Sequence, residues 1–252
     1  MDAAVILVLA GPILILVALI VFVPLTIRAE RERRRILRQW ATQHGWTFAD
    51  SSRARWVSRM PQGGRYLGVT LTGQIGGRWV TVAEYAYETE TVAATVGARS
   101  ASNRSTTTHH LIATMVLLDR PVPSVNVSTR GVLSKLGRTL FGDKPTATGN
   151  VSFDSRFRIN AVDPNFARWL VGKPLIDAHL AGTVPDWSLV GQELLTYRAG
   201  QLRDPSAIPT IAAPLVHVAD LLGHQSPPNP FGSRSGGIGG GGFSGDAATS
   251  ST

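Results

Sequence analysis

Hydrophobic and polar positions divide this chain into three unlike stretches. From Ala3 to Ile27 no residue is charged. Coiled as a helix at ~1.5 Å per residue, such a run exceeds the ~30 Å hydrocarbon core of a bilayer, which predicts a membrane-spanning helix over 1–27. Gly11, Pro12 and Pro24 fall within it, and proline is tolerated in spanning helices when the freed carbonyls find other partners. A secretory signal would begin with basic residues and be shorter. Here Asp2 precedes the run and arginines follow it directly.

The next stretch, 28–44, reads as a basic juxtamembrane helix. Glu30 stands four residues before Arg34, Ile36 and Trp40 lie one turn apart, and Gly45 supplies a stop. From 45 to 223 the pattern changes to alternating strand and helix periods, enough for one core. Leu67, Val69 and Leu71 share a strand face, and after Gly73–Gly77 the segment Arg78 to Glu90 returns as the second arm of a hairpin. His109 to Leu118 reads as a central strand, Ser124 to Thr129 as another, and Val151 to Ala161 alternates as a third. Asp163-Pro164 opens a helix that Gly172 ends, and Pro174 to Leu180 makes a second. Trp187–Val190 and Glu193–Tyr197 read as a hairpin turning at Gly191-Gln192. Asp204-Pro205 starts a last helix with Ile211, Leu215, Val218 and Leu222 on one face. Strands first and helices later predict an α+β domain built on an antiparallel sheet. The third stretch, 224–252, is a Gly/Ser-rich tail expected to be disordered, with eight Gly, six Ser and three Pro from Gln225 onward.

Phe153-Asp-Ser-Arg-Phe-Arg-Ile-Asn160 leading into Asp163-Pro-Asn-Phe-Ala-Arg-Trp-Leu170, then Leu194-Leu195-Thr-Tyr197, resembles a family of actinobacterial single-pass membrane proteins. The resemblance covers about residues 1–222. It implies an N-terminal anchor before one α+β domain, and no functional residue.

Composition narrows the chemistry. With no cysteine, thiolate metal sites, disulfides and thiol nucleophiles are excluded. Of 25 basic residues only Lys135, Lys144 and Lys173 are lysines, and the formal charge is +8. Residues 28 to 40 hold six arginines against Glu30 and Glu32, which is four of that eight. Arginines beside a spanning segment stay on the cytoplasmic side, so the amino terminus is expected outside and the domain in the cytoplasm. Arg31, Arg33, Arg34, Arg35 and Arg38 are the candidates to face lipid headgroups. Elsewhere the basic residues are scattered rather than striped, so nucleic acid is not an expected partner.

No nucleophile elbow, phosphate loop or His-Glu-x-x-His occurs, and no cofactor is expected. One weak constellation remains. If Arg78–Glu90 and His109–Leu118 pair, Glu84, Glu88 and Glu90 share a face near His109 and His110, of which one could join them on a metal ion. Between the strands, Thr91 to Thr108 reads as a long loop offering Thr106, Thr107 and Thr108 to phosphorylation. The expectation is therefore a membrane-anchored, non-catalytic interaction or regulatory module. Its partners would be lipid and a protein at the inner leaflet. A tethered metal-dependent hydrolase using the glutamate–histidine edge is the alternative.

Overall fold

The computed structural model describes residues 24–61, 67–93, 103–131 and 145–224. Most of the apolar run and the tail from 225 lie outside the described residues. Residues 24–43 are helical (α1) and lead into β1 (Thr47–Ala49), β2 (Thr70–Ile75), β3 (Arg78–Ala93) and β4 (Asn103–Thr129). There follow β5 (Pro145–Thr146), α2 (Val151–Arg156), β6 (Phe157–Ala161), α3 (Pro164–Leu170), α4 (Lys173–Leu180), β7 (Trp187–Ala199) and α5 (Ile208–Gly223). All pairings are antiparallel, in the order β1-β2-β3-β4-β6-β5, with β7 on the other edge of β4. The fold is α+β with an antiparallel sheet and late helices.

Strand alternation sorts the apolar residues onto the two faces of the sheet. Val80, Val82, Ile112, Val116 and Leu194 face α1 and the late helices. Ala83, Tyr85, Leu111, Ala113 and Leu195 face a 3-10 turn, Arg55–Arg59, through Trp56, Val57 and Met60. Val125 and Val127 share a cluster with Ile112 and Val116 although their parity is opposite. The register shifts between Leu117 and Val122 and again before Val125 make this possible. On β7 the matching change falls at Gly191, whose φ of 61° is left-handed. Trp187 and Leu189 before it and Leu194 after it then reach one core.

Several expectations are corrected. Trp187–Tyr197 is one bulged strand, not a hairpin: Gly191 spends its positive φ on a bulge because β4 is long enough to pair on both sides of it. His109–Leu118 and Ser124–Thr129 are likewise parts of the single strand β4. Val151–Ala161 begins as helix, since Asn150 Oδ1 accepts from Phe153 N at 3.0 Å and Asp154 accepts from Thr148 and Gly149. Phe153 and Phe157, one helical turn apart, are both buried. Of the loop expected over 91–108, the described residues 91–93 and 103–108 are strand, with Glu88, Thr89 and Glu90 paired to Thr108, Thr107 and Thr106. Runs of β-branched threonine favour that extended pairing.

α1 is a working part of the core. Leu37 and Ala41 are fully buried in the main cluster, with Trp40 packed against it. The globular unit therefore begins before residue 45. α5 is also interior: with its preceding turn, Pro205–Gly223 is long and apolar enough to cross a membrane, yet Ala212, Leu215, Val218, Ala219 and Leu222 are buried in the domain.

Candidate functional site

Two clefts lie on the helix face of the sheet. The larger, about 550 Å³, opens where β4 leaves its register, and is walled by Leu118, Val122, Phe166, Trp169, Leu189 and Leu222. Local sequence builds each wall. Pro121 and Pro123 have no amide proton, so β4 cannot continue an unbroken ladder there. Asp163 caps α3 by accepting from Asn165 N at 2.9 Å and Phe166 N at 3.1 Å. Phe166 and Trp169, one turn apart, then present rings 5.4 Å apart. Arg78 closes one end, donating to Asp220 at 2.8 Å and facing Asp119 at 3.5 Å, and Arg120 lies on the rim. An aromatic recess with a charge-balanced rim suits an apolar group carried by a polar partner.

The second cleft, about 420 Å³, is polar and lies between α1 and the sheet. Arg33 spans it, donating from Nη1 and Nη2 to Glu84 at 2.7 and 3.0 Å and from Nη1 to the Leu202 carbonyl at 2.8 Å. Its Nε and Nη2 also reach Glu30, which accepts from Arg34 as well. Hydrogen bonding from Arg33 holds the Glu30 carboxyl down at about 2, against some burial, and Glu30 in turn pushes the Arg33 pKa up.

The arginines read as lipid-facing do not act alike. Arg33 is turned into the domain. Arg34 and Arg38 face Asp50, at 3.7 and 2.7 Å, and Arg38 also lies over the Phe48 ring. Arg35 is exposed beside Glu32, and Arg31 is exposed.

The glutamate–histidine edge is also divided. His110, opposite Ala86, shares a face with Glu84, Glu88 and Glu90, whereas His109, opposite Tyr87, is on the other face. His109 stacks on Tyr87 at 4.9 Å and its Nε2 lies 2.9 Å from Thr89 Oγ1. Glu84 is occupied by Arg33 and by the Leu202 amide at 2.8 Å. Among the described residues no three His, Asp or Glu side chains are grouped to hold a metal ion.

Two buried polar groups escaped the sequence reading. Arg59, at 5% exposure, bonds the carbonyls of Ser188 and Glu193 on either side of the Gly191 bulge and pairs with the Glu193 carboxylate at 3.2 Å. Burial lowers its pKa to about 10, against the attraction of Glu193. His179 accepts from Trp187 Nε1 at 3.0 Å, edge-on to Phe153, and burial lowers its pKa to about 4. Long-range packing produces both sites, and neither has a local signature.

Fold and clefts together define an α+β domain with its first helix, α1, built into the core and an aromatic recess beside the sheet. No known protein family model matches the chain, and no curated protein does. Among solved structures it is similar to the crystal structure of the mycobacterial trehalose monomycolate transport factor A. The two share 16% identity at a TM-score of 0.48, over 79% of this chain and 99% of that one.

Proposed function

We propose that the protein is a membrane-anchored interaction or regulatory module without catalytic activity. The apolar run spans the bilayer, the amino terminus faces out and the α+β domain stands at the inner leaflet. There the aromatic cleft receives an apolar group of a membrane-associated protein partner. The observation that carries this reading is the construction of α1. The helix that continues the apolar run is seated in the domain by Leu37 and Ala41 and tied to it by Arg33 and Glu84. Such a helix holds the domain against whatever surface contains the run, and confinement to that surface raises its effective concentration toward partners there. The arginines over 28–38 favour the cytoplasmic side. The family of single-pass membrane proteins that the chain resembles has the same order of parts.

The chain has no cysteine, which makes the test simple. Ser51→Cys and Ser250→Cys are labelled separately with a membrane-impermeant maleimide. The expected result is protection in intact cells and labelling after lysis, with the protein in the membrane fraction. Labelling of intact cells reverses the orientation, and a protein wholly in the soluble fraction removes the anchor.

A further inference from the structure

The aromatic cleft lies where the described chain ends. Leu222 and Gly223, from the last turn of α5, wall it together with Phe166 and Trp169 of α3. The helix closes there on Asp220, whose carbonyl lies 3.1 Å from His224 N and 2.6 Å from His224 Nδ1. The Asp220 carboxylate holds Arg78 at 2.8 Å, and a Cβ on Gly223 would stand 2.9 Å from Arg78 Nη2. The chain therefore leaves α5 beside the Arg78 end of the cleft, and the half-buried Phe166 and Trp169 form a wall of the same space.

The sequence that follows suits such a surface. After Gln225 and Ser226 come Pro227-Pro228-Asn229-Pro230-Phe231, and the three prolines of the tail all fall here, ahead of the glycine run from Gly236. Proline fixes φ, so this stretch is biased to polyproline II before it binds, the geometry that aromatic-lined grooves receive with little loss of entropy. No residue over 225–233 is charged, so entry into an apolar space leaves no ion without water. Arg78 already faces Asp119 and Asp220, so that end of the cleft calls for no counter-ion. As polyproline II at ~3.1 Å per residue, Pro227 to Phe231 extends ~12 Å, against about 10 Å across a rounded space of 550 Å³. Gln225 and Ser226 let Pro227 stand anywhere within ~11 Å of His224. A tether this short holds the segment at a millimolar effective concentration, which populates a contact too weak to form between separate molecules.

We propose that residues 227–231, as a polyproline II segment, dock in the aromatic cleft of their own chain, with the prolines against Phe166 and Trp169. The inference rests on the reading of that cleft as a docking surface for an apolar group, and is independent of the anchor and its orientation. A partner that enters the cleft then has to displace the segment. Its apparent affinity is set by the tail as well as by its own contacts, and release of the tail opens the site.

The test uses the full chain in native membranes, with photoreactive benzoylphenylalanine in place of Phe231. Irradiation is expected to join it to 118–123 or 166–170 of the same chain. Pro228→Gly together with Pro230→Gly keeps the tail length and leaves the domain untouched. This pair is expected to lower the docked-to-free ratio, read as the yield of that product, about fivefold. An equal yield overturns the polyproline assignment, and products confined to other residues, or no product, overturn the docking. A product between two chains, recognised by mixing heavy- and light-isotope protein, overturns docking within one chain. Benzoylphenylalanine in place of Phe166 separates the proposal from the reading beneath it. Joined to the tail of its own chain, it supports the proposal. Joined to another protein and not to the tail, it leaves the cleft reading standing while the tail proposal falls. Joined to neither, it removes both.

Discussion

An imidazole already used as an acceptor in a buried site resists a proton. His179 takes the Trp187 indole proton on Nε2, so protonating that nitrogen would set two donors against each other. Its pKa is held at about 4 in the fold and would stand near 6.5 in the open chain. Between those values the unfolded chain binds a proton that the folded one refuses. Stability therefore falls as the pH drops from 6.5 to about 4 and levels off below, by on the order of 3 kcal/mol. His179→Gln, which does not titrate, is expected to flatten this dependence in denaturant titrations over the same range. An unchanged slope would show that another group is responsible. At the helix junction, Arg33→Ala leaves Glu84 facing only the Leu202 amide and is expected to cost about 1–3 kcal/mol. Adding Glu84→Gln should recover part of that loss, and strictly additive costs would refute the coupling. Both sites were beyond sequence reading: Arg33 and Glu84 are 51 positions apart, and His179, though only eight before Trp187, becomes a buried acceptor only where Phe153 and Phe157 pack around its ring.

Elements with local stop and start signals were legible. Asp163-Pro164 predicted α3, and its carboxylate indeed caps the helix. Pro174–Leu180 predicted most of α4, and the Gly76-Gly77 turn of the first hairpin has both residues at positive φ. Short alternating runs were not legible, because six residues of alternation fit one and a half turns of helix as well as a strand. Gly191 is the sharper case, since a left-handed glycine serves a hairpin turn and a bulge equally and only the partner strand distinguishes them. Gly191→Val should cost ~1–2 kcal/mol through that backbone conformation alone, more if Trp187 and Leu194 lose their shared core. Thermal melts would show it, and an unaltered transition would mean that the bulge tolerates a side chain. Leu37→Ala tests whether α1 belongs to the domain. A buried leucine truncated in a core costs ~2–5 kcal/mol, whereas a helix that merely tethered the domain would leave urea unfolding of the globular part unchanged.

At the scale of the molecule, the aromatic cleft has no single sequence source. Its walls come from the β4 irregularity, α3, α5 and β7, four segments whose apolar residues each look like ordinary core. An apolar probe such as anilinonaphthalene sulfonate is expected to bind there and to lose about tenfold in affinity with Trp169→Ser, the equivalent of one large apolar contact. Equal binding by the variant would place the probe elsewhere. The glutamate–histidine edge teaches the converse lesson. Its pairing was correctly anticipated, since β3 and β4 are neighbours, but pairing specifies faces and not company. Glu84 reaches into the junction with α1, and His109 and His110 part to opposite faces.

Composition and periodicity were sufficient for whatever depends on runs of residues: the uncharged stretch, the basic segment after it, the α+β class, the helix caps and the Gly/Ser-rich end. These follow from solvent preference and local backbone geometry, which each residue carries with it. Tertiary packing was needed wherever one residue had alternatives of similar local energy. It turned Arg33 inward to a carboxylate 51 positions away, drew Leu37 and Ala41 into the core, paired Thr106, Thr107 and Thr108 into β4 and opened a recess between four segments. Contacts of that kind are settled by which surfaces meet, and the meeting is a property of the whole fold.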